Sequence, residues 1–363
     1  MKKISIIVPM YKAKEYIKGC VSSLLNQNLD EYEIILVDDC SPDDTYEYAK
    51  KLYGNNDKIR IIKQEKNGGP GLARNKGIEI ADGEYIAFCD IDDYLSPNVL
   101  LDEYKYAKEN DIDLFFILGI KMLVTRETKE KLSLYNENRI LKYNDKENNE
   151  KYVDEPNDLK TRLDKYLGFG YRWSAWSKLY KKEMLDKYNI RFSSLKMAED
   201  QIFVLESIIC AKKIGHKLMY ANIYRIGNDS LTKSGGDLKL FVRSLDTLIG
   251  SNKILKEKLE NNSKLQDVKG YFEKVLKFQN DAIEYGYVLP LFRDISYETL
   301  NNSEDVNLVF KKYYGDNALN EKEKLFTYLK NNKNNTKPLY KKLTYERFEE
   351  LLKNDNKMIS SLF

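Results

Sequence analysis

A single histidine, His216, is present in 363 residues, so a multi-histidine metal site cannot be built and any bound cation must be held mainly by oxygen. The four cysteines, Cys20, Cys40, Cys89 and Cys210, contain no Cys-x-x-Cys pair, which excludes zinc-knuckle and thioredoxin-type chemistry. Unpaired thiols in a chain of this length suit a reducing compartment, so a cytoplasmic protein is expected. Long apolar runs are also missing. The longest, residues 114–120, has seven residues, far short of the ~20 that span a bilayer. Pro9 ends the N-terminal apolar run too early for a signal peptide, so the chain reads as soluble. Nor is there an excess of one charge: 60 basic residues stand against 57 acidic ones, a net +3, which offers no general field for nucleic acid.

What is present has a clear rhythm. Apolar, β-branched runs begin near Ile4, Glu33, Ile59, Tyr85 and Leu114, spaced by 29, 26, 26 and 29 residues. Between them lie helical spacings at Ile17, Val21 and Leu24, at Tyr46, Ala49 and Leu52, and from Leu72 to Ile80. Strands alternating with helices at this interval predict βαβ units and a mostly parallel sheet of the α/β class. Residues 121–163 are rich in Lys, Glu and Asn and read as an insertion or a loose helical segment. From about Lys233 the pattern becomes helical to the end. The expected division is therefore 1–232, with halves at about 1–120 and 121–232, followed by a helical region, 233–363.

In an open α/β sheet, ligands bind beyond the carboxyl ends of the strands. Four polar loops are placed there. The first strand runs into Val8-Pro9-Met10-Tyr11, and the second into Asp38-Asp39-Cys40-Ser41-Pro42-Asp43. One aspartate of the pair can accept hydrogen bonds from a base or a ribose, with Asp39 the candidate, while Ser41 or Asp43 caps the next helix and the other carboxylate is solvated. The third loop, Asn67-Gly68-Gly69-Pro70-Gly71, opens a helix whose N-terminus favours a phosphate; Arg74, one turn in, reaches that phosphate or pairs with a carboxylate. The loop is neither Gly-x-Gly-x-x-Gly nor a P-loop. The fourth carries Asp90, Asp92 and Asp93. In extended backbone Asp90 and Asp92 point to one side, where Mg²⁺ or Mn²⁺ would relieve their repulsion and hold a diphosphate. Turn-forming aspartates before Ser96-Pro97 are the plainer explanation of Asp93.

These four segments together resemble the inverting family 2 nucleotide-sugar glycosyltransferases, whose fold is called GT-A. The resemblance rests on Val8 to Tyr11, Val37 to Thr45, Asn67 to Gly77 and the DxD-type cluster Asp90 to Asp93, in that order. It implies a Rossmann-like GT-A domain with flanking helices, and a nucleotide-sugar half followed by an acceptor half. Pro9, Tyr11 and Asp39 are implied as nucleotide contacts, Arg74 and Asp90 as neighbours of the ribose and diphosphate, and Asp92 as the metal ligand. Trp176-Ser177-Lys178-Leu179 resembles the segment under the acceptor, where Trp176, Lys178 and Glu199 are implied. Glu199-Asp200 resembles the Glu-Asp motif whose second acid is the general base, although the pair also suits the N-terminus of a helix over 201–210. Tyr224-Arg225 with Ser230-Leu231-Thr232 resembles the end of the catalytic domain. Cys40 departs from the pattern, because glycine is common there.

The resemblance implies in-line transfer of a hexosyl or N-acetylhexosaminyl group from a UDP-linked donor to a glycan or lipid-linked glycan, with Mn²⁺ or Mg²⁺ as cofactor and a β-linkage in surface polysaccharide or lipooligosaccharide as product. The acceptor's proton would pass to Asp200. Two other functions remain open from the residues. A sugar-phosphate nucleotidyltransferase shares the sheet and carboxylates but usually has a Gly-rich basic loop after the first strand. A non-catalytic nucleotide-sugar-binding module would use the same donor loops. Trp173 and Trp176 stack on a sugar ring or pack in the core; His216 reads as structural. Residues 311–363 carry 12 basic and 7 acidic side chains, including a helix expected near 344–352. Such helices either present a solvated face or touch the inner face of an anionic membrane peripherally.

Overall fold

The computed structural model describes residues 2–124, 153–167, 171, 173–195, 197, 199–226, 236–261, 274, 277, 280–281 and 283–334. The chain divides into two compact units. The first comprises Met1–Arg162, Arg172–Ser194 and Glu199–Gly227; the second comprises Leu163–Tyr171, Leu195–Ala198 and Asn228–Phe363.

The first unit opens with β1 (Lys2–Met10), α1 (Ile17–Leu25), β2 (Tyr32–Asp38), α2 (Thr45–Tyr53), β3 (Ile59–Lys63), α3 (Pro70–Ile80) and β4 (Gly83–Phe88). It continues with β5 (Tyr94–Leu95), α4 (Leu100–Glu109), β6 (Leu114–Val124), β7 (Val153–Asp154) and α5 (Leu159–Leu167), which runs on into the second unit. After these come β8 (Lys178–Lys181), α6 (Lys182–Lys187), α7 (Glu199–Cys210) and β9 (Ile214–Ile226). Strand order in the sheet is β3-β2-β1-β4-β8-β6-β9-β5, with β7 on β9. The strands from β3 to β4 are parallel. β8 runs antiparallel to both β4 and β6, and β6 and β9 are parallel. The α/β class and the mostly parallel first half therefore match the sequence rhythm. That rhythm misses β8 and β9: β8 has only four residues, and β9 is broken by Gly215, Lys217 and Asn222.

β1 is apolar on both faces because both are covered. Ile4, Ile6 and Val8 pack with Ile17, Val21 and Leu24 of α1. On the other face, Ile7 meets α3 at Gly77, where an added Cβ would lie 2.3 Å from Ile7 Cγ2. That close approach fixes α3 on the sheet. At the amino end, Ser5 Oγ donates to buried Glu33 (2.6 Å), which also accepts from Asp82 N–H (2.8 Å) and Arg60 Nη1 (3.3 Å). At the carboxyl end, the pairing runs past the strands: Asp39 N–H donates to Met10 O and Gln64 N–H to Asp38 O, each at 2.8 Å. The loops therefore leave the sheet in register, side by side.

The second unit contains α8 (Gly236–Glu260), a π-turn at Glu284–Val288, then α9 (Leu289–Asp294), α10 (Tyr297–Asn302), α11 (Glu304–Tyr314) and α12 (Ala318–Asn332). Its core joins Phe241, Leu245, Val288, Phe292, Phe310 and Phe326. Ser296 Oγ caps α10 by accepting from Thr299 N–H (3.1 Å), and Ser303 Oγ caps α11 by accepting from Val306 N–H (3.3 Å). Among the described residues no helix is long and apolar enough to cross a membrane. The helix expected near 344–352 and the segment 230–232 lie outside the described residues.

Candidate active site

The site is assembled on the loops after β1, β2, β3 and β4 and at the start of α7. Both carboxylates of the Asp38-Asp39 pair are inside, which corrects the expectation that one is solvated. Asp38 Oδ2 accepts from Ser41 N–H (3.0 Å). Asp39 Oδ1 accepts from Gly68 N–H (2.7 Å) and Gln64 Nε2 (2.6 Å), and its Oδ2 accepts from Gly69 N–H (2.7 Å). Asp39 thus shapes the glycine loop that opens α3. Gly69 has φ 87°, a left-handed conformation that glycine adopts without a Cβ clash. Cys40 has φ 57°, which explains why glycine suits this position in the pattern and why a side chain there is strained. The N-cap of α2 is Asp44, whose side chain makes no capping bond; Asp43, one residue earlier, accepts from Thr45 N–H through its Oδ1 (3.2 Å), and Ser41 Oγ accepts from Lys12 N–H (3.1 Å).

Arg74 is the centre of the site, 4% exposed. Its Nη2 donates to Asp90 Oδ1 (2.8 Å), and its Nη1 donates to both Glu199 Oε1 (3.0 Å) and Asp200 Oδ1 (2.9 Å). One guanidinium therefore joins the loop after β4 to the start of α7, 126 residues away in sequence from Arg74. Its fork geometry allows this, where a lysine ammonium would act as a point charge. Phe192 lies 5.3 Å from the guanidinium and stacks on Phe203 at 3.9 Å, so the surroundings are apolar. Asn75, the next residue, holds Phe192 by two backbone bonds of 2.9 and 2.8 Å. Gly71 admits the Glu199 side chain: a Cβ on Gly71 would sit 3.0 Å from Glu199 Cγ.

Asp200 is anchored twice. Beyond Arg74, its Oδ2 accepts from Ala175 N–H (3.0 Å), while Tyr180 Oη donates to Ala175 O (2.9 Å). Its side chain remains 22% exposed. Glu199 is pushed above the ordinary carboxylate range by burial first and by the Asp200 charge second, against the pull of Arg74. Arg74 stays charged, because its three carboxylates outweigh its burial. Among the described residues, buried Ser174 Oγ, Ser193 Oγ and Gln201 Oε1 have no hydrogen-bond partner.

The loop after β4 is a turn closed by Asp93 N–H to Asp90 O (3.0 Å), not the extended backbone assumed from sequence. Asp90 therefore faces Arg74. Asp93 Oδ1 accepts from Arg225 N–H (2.9 Å), and Arg225 Nε donates to Asp92 O (3.1 Å). Arg225 also donates to Tyr94 Oη and lies between the rings of Tyr16 (5.2 Å) and Tyr94 (5.3 Å). Asp92 is pushed up by burial and by the Asp90 charge, and Asp93 is pushed up to about 8 by the same two causes in that order. Oxygen-only donors with excess negative charge fit a hard divalent cation. Among the described residues no group of three or more His, Cys, Asp or Glu side chains forms a ready cage.

Pro9 is buried in β1, paired with Val37, and Tyr11 beyond it is 43% exposed. Lys178 and Glu199, expected on the acceptor side, are internal, at 1% and 7% exposure. Lys178 Nζ donates to Ser174 O and to Trp176 O (3.4 Å), which shapes the loop carrying Ala175. Trp173 and Trp176 are half-buried. His216 is paired with buried Glu155 away from these loops. Sequence reasoning left Asn75 and Arg225 out of the site, although both lie in segments that carried the resemblance.

A family profile described as "Glycosyl transferase family 2" matches residues 5–164. The poly(ribitol-phosphate) beta-glucosyltransferase of Bacillus spizizenii is 34% identical over 231 residues, 62% of this chain and 33% of that protein. The chain thus spans about a third of that relative's length. The poly(ribitol-phosphate) beta-N-acetylglucosaminyltransferase TarP of Staphylococcus aureus is 30% identical over 250 residues, 65% of this chain and 68% of TarP. Among solved structures, S. aureus TarS 1-349 in complex with UDP-GlcNAc superposes with a TM-score of 0.58, covering 89% of this chain and 83% of that one. At 20% identity that likeness speaks for the fold. The matching profile, the relatives and the shared architecture lead to one conclusion: the chain belongs to glycosyl transferase family 2.

Proposed function

We propose that the chain is an inverting, metal-dependent glycosyltransferase that moves a sugar from a UDP-linked donor to a hydroxyl of a cell-surface glycan, forming a β-linkage. The observation that carries this reading is the Arg74 junction, which ties the donor-side Asp90 and the candidate base Asp200 to one guanidinium. Transfer needs a donor loop and a base held in fixed relation, and a buried bidentate cation provides that relation.

In the reaction, the acceptor hydroxyl oxygen attacks the anomeric carbon from the face opposite the diphosphate. The new C–O bond forms as the bond to the diphosphate oxygen breaks, and the acceptor proton passes to the Asp200 carboxylate. Arg74 and Ala175 N–H each occupy one oxygen of Asp200, so the carboxylate is oriented while a lone pair stays open on each oxygen. Asp92 would hold a divalent cation. When bound, such an ion supplies positive charge to the departing diphosphate.

The relatives' names support glucose and N-acetylglucosamine as the first sugars to try, each as its UDP-linked form, and poly(ribitol phosphate) as the first acceptor. The test is transfer by the purified full chain with each donor and with Mn²⁺, Mg²⁺ or EDTA, followed by the anomeric configuration of the product. A β-linked product whose formation EDTA stops is expected. An α-linked product, or UDP release that is equal with and without acceptor, would overturn the reading.

A further inference from the structure

The loop after β4 carries the candidate metal ligand. Its two ends are fixed by the sheet, and its middle is reached by a side chain from β9. We propose that Arg225 is a positioning residue that pins the middle of this turn and so preforms the divalent-cation site of Asp92. The inference rests on the reading of Asp92 as the residue that holds the cation.

At the first end, Cys89 N–H donates to Ile7 O of β1 (3.1 Å). At the second, Tyr94 and Leu95 pair antiparallel with Ile223 and Asn222 of β9, and Ser96 N–H donates to Ala221 O (2.6 Å). Leu95 N–H also donates to Ser23 Oγ of α1 (3.0 Å). Between these ends stand Asp90 to Asp93, closed by Asp93 N–H to Asp90 O at 3.0 Å. Two carboxylates of the turn are spent on structure: Asp90 Oδ1 accepts from Arg74, and Asp93 Oδ1 from Arg225 N–H. The Asp92 carbonyl accepts from Arg225 Nε at 3.1 Å. The like charges of Asp90 and Asp92 work to open such a turn, and the Arg225 charge offsets them.

Arg225 can serve as a pin because it is itself held. Its guanidinium lies between the rings of Tyr16 (5.2 Å) and Tyr94 (5.3 Å), and its Nη2 donates to Tyr94 Oη. Tyr94 is seated on α1 in turn: a Cβ on Gly19 would lie 2.9 Å from Tyr94 Cε1. One planar fork thus ties the Asp92 carbonyl to a tyrosine that rests on a helix. A lysine carries its donors on one terminal atom and cannot replace the Nε and Nη2 bonds together. The backbone bond from Arg225 N–H to Asp93 survives a change of side chain, so such a change tests the pin alone. Groups that orient a metal ligand are commonly worth about ten- to a hundredfold in metal affinity.

The experiment is calorimetric titration of UDP into the full chain, once with Mn²⁺ and once with EDTA. The proteins are the native chain, Asp92→Asn, Arg225→Met, Arg225→Lys and Tyr94→Phe. The ratio of the two dissociation constants isolates what the cation adds. The native chain should bind UDP more tightly with Mn²⁺, and Asp92→Asn should lose that gain. Both Arg225 variants should weaken the Mn²⁺-dependent binding about tenfold, while the Kd in EDTA stays close to native. Their turnover should recover as Mn²⁺ is raised, a shift in metal requirement that a general loss of stability does not produce. A native ratio in folded Arg225→Met or Arg225→Lys, with the gain absent from Asp92→Asn, overturns the role of Arg225 and leaves the metal reading in place. Equal Kd with and without Mn²⁺ in the native chain, or a native gain in Asp92→Asn, overturns the metal reading and the Arg225 inference with it. If neither Arg225 variant folds, Tyr94→Phe decides, because it removes the hydroxyl that accepts from Nη2 and keeps the ring. A gain reduced about threefold supports the inference, and an undiminished gain refutes it.

Discussion

Replacement of Arg74 by methionine tests the junction as a structural element. The substitution keeps an unbranched apolar stem and removes the charge that three carboxylates share. Removing one partner of a buried ion pair costs about 3–5 kcal/mol, since the remaining charge is left uncompensated. Glu199, 9% exposed at its side chain, bears the full penalty, whereas Asp200 and Asp90, at 22% and 31%, are partly relieved by water. A loss of about 4 kcal/mol at pH 8 is therefore expected, a large share of the 5–15 kcal/mol typical of a folded domain. The penalty has a definite pH dependence. Without Arg74 the carboxylates are raised in the folded state, which then binds more protons than the unfolded chain. Stability of the variant should fall as pH rises through the window from the ordinary carboxylate range to the raised values. Urea midpoints of both proteins at pH 5 and pH 8 measure this, with the midpoint gap smaller at pH 5. A gap of the same size at both pH values, or a loss below about 1 kcal/mol at pH 8, would refute the view that Arg74 neutralises a buried acidic cluster.

Three further outcomes follow from local geometry. Cys40→Gly should raise stability by about 0.5 kcal/mol, because φ 57° is strained for a residue with a Cβ and relief of that strain exceeds glycine's extra chain entropy; Cys40→Ala should bring no gain, and thermal melts of the pair decide. Gly77→Ala places a Cβ 2.3 Å from Ile7 Cγ2 and should cost about 1–3 kcal/mol in urea unfolding, and a loss below about 0.5 kcal/mol would contradict the close approach of α3 to β1. Glu103 in α4 is raised from 4.5 to about 8 by burial, and its Oε1 has no hydrogen-bond partner among the described residues. Its folded state holds the proton more tightly, so stability should fall between pH 4.5 and about 8 and level off above. Glu103→Gln should flatten that slope and gain on the order of 2 kcal/mol at pH 8 relative to pH 5, and a slope unchanged in the variant would contradict it.

The parallel half of the sheet was legible because β1 and β2 are buried along most of their length and read as apolar runs, with β3 and β4 following at the same regular interval. β8 was not, since a four-residue strand between lysines carries almost no periodic signal and its place between β4 and β6 is set by pairing at long sequence separation. The polar loops after β1 to β4 stood out through glycines and aspartates at strand ends. Their wiring did not. Nothing in the spacing says that Asp39 spends its carboxylate on the Gly68-Gly69 amides, or that Asp90 turns to Arg74 because Asp93 N–H closes a turn on its carbonyl. Lys178 and Glu199 look like surface groups in a sequence, and only packing reveals that Ser174 O, Trp176 O and Arg74 hold them inside. Arg225 was visible in the segment that closes the catalytic unit, but its clamp on the Asp92-Asp93 turn depends on β9 lying beside β5.

The most direct measurement is single-turnover transfer by Asp200→Asn from UDP-glucose or UDP-N-acetylglucosamine to poly(ribitol phosphate), with donor affinity measured on the same protein. Asparagine keeps the shape of the side chain and loses the capacity to accept the acceptor proton. The account predicts transfer lowered by at least about a hundredfold with donor affinity close to native. Native transfer rates in Asp200→Asn would contradict it.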